Sequence, residues 1–579
     1  MELGSFKTYR KLATVLWLLV GSFQLWQVRH APIGDFANYY FASQALSEGV
    51  LEEAQLYEPY TFNLWVNDRA PTSVYVNYAP VPPISVLAYL PIAQISDIYQ
   101  AKLVFNVLGL LFFAFVFWRG SGAVLFHGKE GLIVNNWQSI DRRPTIEESE
   151  QASSSKLGLD ERHHIEKAPS TSDDKLTPYS LGLLLSPFIL WTPLYNNLYQ
   201  GQSYLYIVAF LWLGFLFWRR KWWLSAAAIW ALPISLKIFP AIVLLFLLLK
   251  RQSYTLGWTV AFSLLFSWLP MIWMGNAAVS EYFQDILPRL FAGEINDPYT
   301  ILYQSARVFF DQLFVYDGHL NPSPIIDSPL VASLLYVIFQ WVILGLLVQL
   351  AIKKKVADFM AFGLVVLAGL LLSGYGSSYS MLLLFFPAIS LVANSPRKAW
   401  LWGGGVLLLF LAGNIAIYRL QEAPFLLQFP RMYALILFVC WIYFWERPIF
   451  ASKVWIGLGI LLLAKWGVSS SNKSSLADYY LPDGTYPIIF DYQPTATGLL
   501  IQHFRGQGAE EDTYITSDKI YEDPQLKIID DQLYFGNQRL SDSKSRKKRP
   551  LRLNKREVIY LSDEGRGVGF YTIRKLQLP

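Results

Sequence analysis

Apolar stretches long enough to cross a bilayer recur along most of this chain, separated by short loops that alternate in character. A spanning helix rises about 1.5 Å per residue, so it needs roughly 20 mostly apolar residues. Such stretches fall near residues 11–28, 98–118, 177–194, 203–218, 222–237, 239–249, 256–274, 329–352, 357–373, 379–393, 399–417, 431–446 and 452–468. The pattern predicts a polytopic α-helical membrane protein with about 13 transmembrane helices. Beyond residue 470 it changes. Runs such as YPIIFDY (486–492), LLIQHF (499–504), LKIIDDQLYF (526–535), EVIYLS (557–562) and GFYTIRKL (569–576) alternate with Gly, Asp and Pro turns. That is a strand signature, and a small extramembrane β domain is expected over 470–579.

The loops between the spans fix a sidedness, because short cytoplasmic loops collect Lys and Arg. With the N-terminus inside, the inner loops carry Arg10 and Lys11, Arg119, Arg219 to Lys221, Lys250 and Arg251, Lys353 to Lys355, Arg397 and Lys398, and Arg447 and Lys453. The alternate loops hold Asp35, the NLYQGQSY stretch, a long aromatic and acidic segment over 275–328, and SGYGSSY. An odd number of spans then puts the β domain outside. The stretch Pro82 to Ser96 is short for a span and contains Pro91. Counting it as a crossing would invert every later loop, so it is expected as a helix lying in the outer interface. The basic N-terminal patch followed by an apolar run resembles a secretory signal but lacks a small-residue cleavage site, and is expected to be an uncleaved first span.

Composition agrees with this picture and removes some functions. Only 16% of the residues are charged and 54% are hydrophobic, whereas soluble domains carry about 25% charged residues. Lipid is the solvent for most of the chain. The net charge of +5 is what a positive-inside bias alone produces, so nucleic acid is not an expected partner. Cys440 is the one cysteine, which excludes an intrachain disulfide. The polar segment from about 120 to 176 is expected as a flexible cytoplasmic insert; its His163 and His164 lack the second pair of ligands that a metal site requires. The basic run from Lys544 to Arg556 is expected to be a solvated loop, with contact to anionic lipid or polymer as the alternative.

Candidate chemistry concentrates after the first span, in APIGDFANYYFASQALSEG, LYEPY and VNYAPVPP. Asp35 stands about one turn beyond the outer end of the first helix, among Tyr, Phe, Trp and Pro. A carboxylate at that boundary suits a general base; helix capping is the alternative. Lys237 closes the fifth span near its outer end, where a cation is costly unless it snorkels to the interface or serves a function. No acid stands two residues from Asp35, so the Asp-x-Asp pair of a metal-dependent nucleotide-sugar enzyme is missing from this loop. Neither a metal nor a cofactor is expected.

The order G-D-F-x-x-Y-Y (34–40), L-x-x-G (46–49), L-Y-x-P-Y (56–60) and Y-x-P-x-P-P (78–83) resembles glycosyltransferase family 87, the polyprenyl-phosphate-mannose-dependent mannosyltransferases of the GT-C superfamily. NLYQGQSY (197–204), SLKIFP (235–240) followed by Lys250 and Arg251, YQSAR (303–307) and LLSGYGSSYS (371–380) are similar to further family segments in the same order. The resemblance runs over roughly residues 1–450. Tyr379 stands where the family usually has His, and Gly374 where it has Pro. A neutral phenol cannot titrate as an imidazole does near pH 7, so that role does not carry over.

The resemblance implies a GT-C-like transmembrane domain over 1–468, with an external catalytic loop at about 29–97 and a second external loop at about 275–328. It implies an inverting glycosyltransferase of the plasma membrane, moving a hexose, expected to be mannose, from a polyprenyl-phosphate donor to a glycan or glycolipid acceptor on the outer face. Asp35 is then the expected base. Lys237 and Arg307 are the expected cations for the donor phosphate, and Tyr78, Gln200, Gln202 and Tyr379 the expected sugar or acceptor contacts. A transporter would place ionisable residues near the midplane and show two related halves, and neither is clear here. A lipid-linked oligosaccharide polymerase or ligase is the nearer alternative.

Overall fold

A computed structural model of the 579-residue chain describes residues 6–50, 55–121, 178–352, 357–394, 399–446 and most of 488–578, with isolated positions at 455, 459 and 478–479. Within those stretches, residues 73, 319, 375, 506–507, 516–519 and 544 are not described. The expected insert beyond residue 121 and nearly all of the last expected span, 452–468, lie outside the described residues.

Helices form where the apolar runs lie. Among the described residues, four are long and apolar enough to cross a membrane: Thr8–Val28, Ile98–Gly120, Ser253–Met274 and Pro329–Ile352. A fifth candidate is the pair Trp191–Gln200 and Tyr204–Arg219, which meet at 118°. The other apolar stretches give shorter helices, among them Trp223–Leu236, Asp358–Leu372 and Gly403–Asn414. Leu19, Trp26, Leu111, Phe115, Leu264 and Leu334 stay exposed on the long helices. Such large apolar surfaces are expected where lipid rather than water covers them. The inner faces pack into one core of aromatic and branched side chains, with Trp17, Phe113, Trp212, Phe215 and Phe385 among its members.

A second core lies mostly among the loops, joined by Ile98, Ala101 and Phe105 of the helix Ile98–Gly120. It joins Phe36, Tyr39, Tyr40, Phe62, Val76 and Tyr89 to Tyr282, Ile286 and Ile295, and takes in Val568 from the far end of the chain. The short helix Ile84–Ala93 contributes to it. It is a helix, as expected; one face buries Ser85, Val86, Tyr89 and Ala93 against protein, with Tyr89 stacked on Tyr39 at 4.3 Å, while Ala88 and Pro91 stay exposed.

Among the described residues of the C-terminal region, the strand pairs are antiparallel. The region contains β1 (Asp478–Tyr479), β2 (Ile488–Thr495), β3 (Gly498–Arg505), β4 (Gly508–Ile515), β5 (Leu526–Ile529), β6 (Gln532–Phe535), β7 (Gln538–Arg539), β8 (Lys547–Arg552), β9 (Glu557–Ser562) and β10 (Thr572–Gln577). They form three sheets, ordered β1-β10-β9-β8, β2-β3-β4 and β5-β6-β7. Here the basic run departs from expectation. Much of it is the strand β8, not a solvated loop, and several of its cations have fixed partners. Arg546 reaches Glu281 and Asp285, each at 3.3 Å, Lys548 pairs with Glu58 at 3.2 Å, and Arg552 pairs with Asp523 at 3.3 Å. An irregularity in the β8–β9 pairing between Lys548 and Leu551 puts Arg549 at φ 52°, and its guanidinium meets Asp491 at 3.2 Å. Charge density alone could not reveal these pairings, because the acids come from four other parts of the chain.

Candidate active site

Asp35 occupies the N-terminal end of the helix Phe36–Ser47, where a capping residue would stand, yet its side chain makes no capping bond. The carboxylate is directed elsewhere. Its Oδ2 accepts a hydrogen bond of 2.6 Å from Nε2 of Gln202, and its backbone N–H donates to Oε1 of Gln200 at 3.3 Å. Its Oδ1 takes no hydrogen bond among the described residues. The Oε1 of Gln202 in turn accepts from the Lys237 ammonium at 2.8 Å and from the Tyr39 hydroxyl at 3.1 Å. One buried amide therefore bridges a carboxylate and an ammonium and keeps each charge from being cancelled by direct contact.

Two glycine turns bring these groups together. Gly201 ends the helix Trp191–Gln200 in the left-handed conformation at φ 65°, where a side chain costs about 1 kcal/mol or more. A Cβ there would also stand 2.6 Å from Cβ of Phe36. Opposite it, Gly34 turns at φ 62°, and a Cβ would meet Oε1 of Gln200 at 2.3 Å. The chain after the first helix and the sharp corner at 201 thus pack closely, each glycine against a side chain of the other segment. Asn197 tightens the corner by accepting from the backbone N–H of Tyr204 at 3.1 Å.

Lys237 sits at a break in an apolar run. The helix Trp223–Leu236 contains Pro233 and ends as Lys237 turns extended, at φ −150° and ψ 131°. A cation is favoured at a helix C-terminus, where carbonyl groups lack partners. The ammonium lies over the ring of Tyr204 at 4.6 Å and over that of Tyr379 at 5.8 Å, with Tyr204 stacked on Phe239 at 5.5 Å. Among the described residues it has no carboxylate within ion-pair distance. Burial, with the Asp35 charge adding to it, pushes the Tyr39 phenol well above its ordinary range, so it remains a neutral donor.

Of the residues singled out from sequence, Asp35, Gln200, Gln202, Lys237 and Tyr379 come together in this cluster. Tyr78 does not join it by a hydrogen bond; its ring packs 5.5 Å from Tyr57 and its hydroxyl donates to the Pro82 carbonyl at 3.3 Å. Arg307 lies one segment away. It pairs with Asp311 on its own helix at 3.6 Å, and its neighbour Ser305 donates to the Gly374 carbonyl at 2.8 Å, which joins the 303–307 stretch to the strip that carries Tyr379.

Two buried cations escaped the sequence reading. Lys102, 4% exposed, lies in the helix Ile98–Gly120 and donates to the carbonyls of Pro32, at 2.6 Å, and Tyr199. It ties the residues just before Asp35 to those just before Gln200. Arg431, 1% exposed, donates to Ser378 and, at 2.7 Å, to the Ile415 carbonyl. A lone Lys or Arg inside an apolar run was the available signal. The carbonyl partners were not legible.

The sequence model of glycosyltransferase family 87 matches residues 81–374, about half of the chain. It therefore includes Gln200, Gln202, Lys237 and Arg307, while Asp35 precedes it and Tyr379 follows it. No curated protein matches, and no solved structure matches.

Proposed function

This chain belongs to glycosyltransferase family 87 and is a membrane glycosyltransferase with a sugar donor and an acceptor; from that premise we propose that its donor is a polyprenyl-phosphate hexose, mannose in the first instance, and that Asp35 is the base of an inverting transfer. The architecture that goes with this reading is GT-C-like, with about 13 crossings. In it the N-terminus is cytoplasmic, and the loops at 29–97 and 275–328 and the β domain face outward from the plasma membrane.

The observation that carries the reading is the Asp35–Gln202–Lys237 chain, with bonds of 2.6 and 2.8 Å. In the proposed step the acceptor hydroxyl gives its proton to Oδ1 of Asp35 as its oxygen attacks the anomeric carbon. The bond from that carbon to the phosphate oxygen breaks, and the polyprenyl phosphate leaves with the electron pair. A phosphate needs little acid assistance to depart. It needs a cation, and Lys237, held by Gln202 and by no carboxylate among the described residues, suits that role as a point charge. Gln202 then orients base and cation together. Arg307 is the second proposed phosphate cation. Gln200, Tyr379 and Tyr78 are the proposed sugar or acceptor contacts.

The donor class is tested with purified protein in detergent, an alkyl α-mannoside acceptor, and parallel incubations with polyprenyl-phosphate mannose, polyprenyl-phosphate glucose and GDP-mannose. Transfer from a polyprenyl-phosphate sugar, with inversion at the anomeric carbon and none from the nucleotide sugar, is expected. Transfer from GDP-mannose alone would overturn the donor assignment.

A further inference from the structure

The transfer chemistry asks nothing of the β domain, yet that domain closes on the loop that bears Asp35. The contact centres on the turn Gly565 to Phe570. Gly567, at φ 108°, leaves no room for a side chain, since a Cβ would lie 2.7 Å from the backbone of Asn296. Gly569, at φ 84°, is as tight, its Cβ position being 2.6 Å from Pro59. Between them Val568 is 1% exposed and belongs to the same apolar core as Phe36 and Tyr39.

The turn is wired into that core by hydrogen bonds. The Val568 N–H donates to the Glu294 carbonyl at 3.0 Å, and its carbonyl accepts from Nδ2 of Asn77 at 2.8 Å. The backbone N–H of Asn77 donates to Oδ1 of Asn38 at 2.8 Å, and the Asn38 N–H closes on the Asp35 carbonyl at 3.2 Å. Two long-range hydrogen bonds and one helical turn thus separate Val568 from Asp35. The base of the turn is itself fixed, since Asp563 accepts from the backbone N–H groups of Arg546 at 2.8 Å and Gly569 at 3.1 Å.

We propose that the C-terminal β domain is a positioning element of the transferase: its 565–570 turn, seated between residues 59–77 and 294–296, holds through Asn77 and Asn38 the helix that presents Asp35. The inference rests on the reading of Asp35 as the base. The position of a base matters to rate, because an ångström of misplacement can remove about 100-fold in turnover without weakening substrate binding.

The test uses the full-length chain in detergent with Val568→Asp, which puts a charge into the apolar seat, Asn38→Leu, which cuts the last link while leaving the β domain untouched, and Val568→Ile as the conservative control. Hydrogen exchange over peptides covering 36–47 is read alongside kcat and KM with polyprenyl-phosphate mannose and an alkyl mannoside. In Val568→Asp and Asn38→Leu, exchange over 36–47 is expected to rise about tenfold or more, and kcat to fall about 10- to 100-fold with KM within about twofold. Val568→Ile is expected to match the wild type in both. Unchanged exchange over 36–47 in Asn38→Leu, or in a Val568→Asp protein whose 563–571 peptides have become exchange-prone, overturns the proposal; so does wild-type kcat in either variant. Should the wild type transfer no sugar from this donor while the exchange pattern follows expectation, the donor assignment fails and the mechanical link stands.

Discussion

Replacing Gln202 by Leu removes the bridge between Asp35 and Lys237 while keeping a side chain of similar volume. Three bonds go at once: the donation to Asp35 at 2.6 Å and the acceptances from Lys237 at 2.8 Å and Tyr39 at 3.1 Å. Gln202 is 4% exposed, so water has little room to replace them. A hydrogen bond to a charged group contributes about 1.5–3 kcal/mol, which at about 1.36 kcal/mol per decade is roughly a 10- to 150-fold loss in kcat if one such bond matters only in the transition state. The same loss lowers fold stability by about 1–3 kcal/mol, so a melting curve in detergent must accompany the rate. Gln202→Glu provides the complementary test. It keeps an acceptor for Lys237 and Tyr39 but replaces the donor to Asp35 by a carboxylate oxygen, so the 2.6 Å bond is lost. Its kcat is expected to fall about as far as that of Gln202→Leu. A Gln202→Leu enzyme whose kcat stays within about twofold of wild type, with an unaltered pH profile, would refute the bridging role.

Further outcomes follow from other parts of the structure. Gly201→Ala places a Cβ 2.6 Å from Phe36 at φ 65° and is expected to destabilise by about 1–3 kcal/mol, read as a lowered melting temperature; an unchanged melt would mean that the corner can yield. Burial alone would raise the Glu58 carboxyl, but Lys548, the N–H of Thr61 and Arg546 outweigh it and hold the group below its ordinary range. Because the folded pKa is depressed, its contribution is complete above the unfolded value of about 4.3 and disappears as the pH falls through the folded one. Glu58→Gln should therefore be less stable than wild type at pH 7, and the difference should vanish in acid. For sidedness, a cysteine at the exposed Asn537 and one at Ser149, each in a Cys440→Ser background, should react with impermeant reagent from opposite sides of the membrane; reaction from the same side would invert the topology.

Much of this architecture was legible because it rests on local pattern. Most of the described apolar stretches became helices within a few residues of the expected limits, as at Pro329–Ile352 and Asp358–Leu372, whereas 177–194 breaks at Leu190 into Pro178–Ile189 and Trp191–Gln200. The segment LKIIDDQLYF became the hairpin β5–β6, whose corner residues Asp530 and Asp531 both have positive φ. Gln200, Gln202 and Lys237 could be named together because motif order stood in for spatial proximity. What stayed hidden depended on partners distant in sequence. Lys102 is satisfied by carbonyls 70 and 97 residues away, the cations around β8 by acids from the loops and from elsewhere in the β region, and Val568 by a core made of residues far upstream. No window along the chain contains such information. The contact of Tyr89 with Tyr39, 50 residues away, was hidden for the same reason.

The most direct test of the account is the rate of mannose transfer from polyprenyl-phosphate mannose by purified Asp35→Asn and Asp35→Ala proteins that bind detergent and melt as the wild type does. Both should lose transfer by about 1,000-fold or more, the Asn variant no less than the Ala, since an amide that keeps the shape of the carboxylate cannot take the proton. Transfer at near wild-type rate in either protein would contradict the assignment of Asp35 as the base.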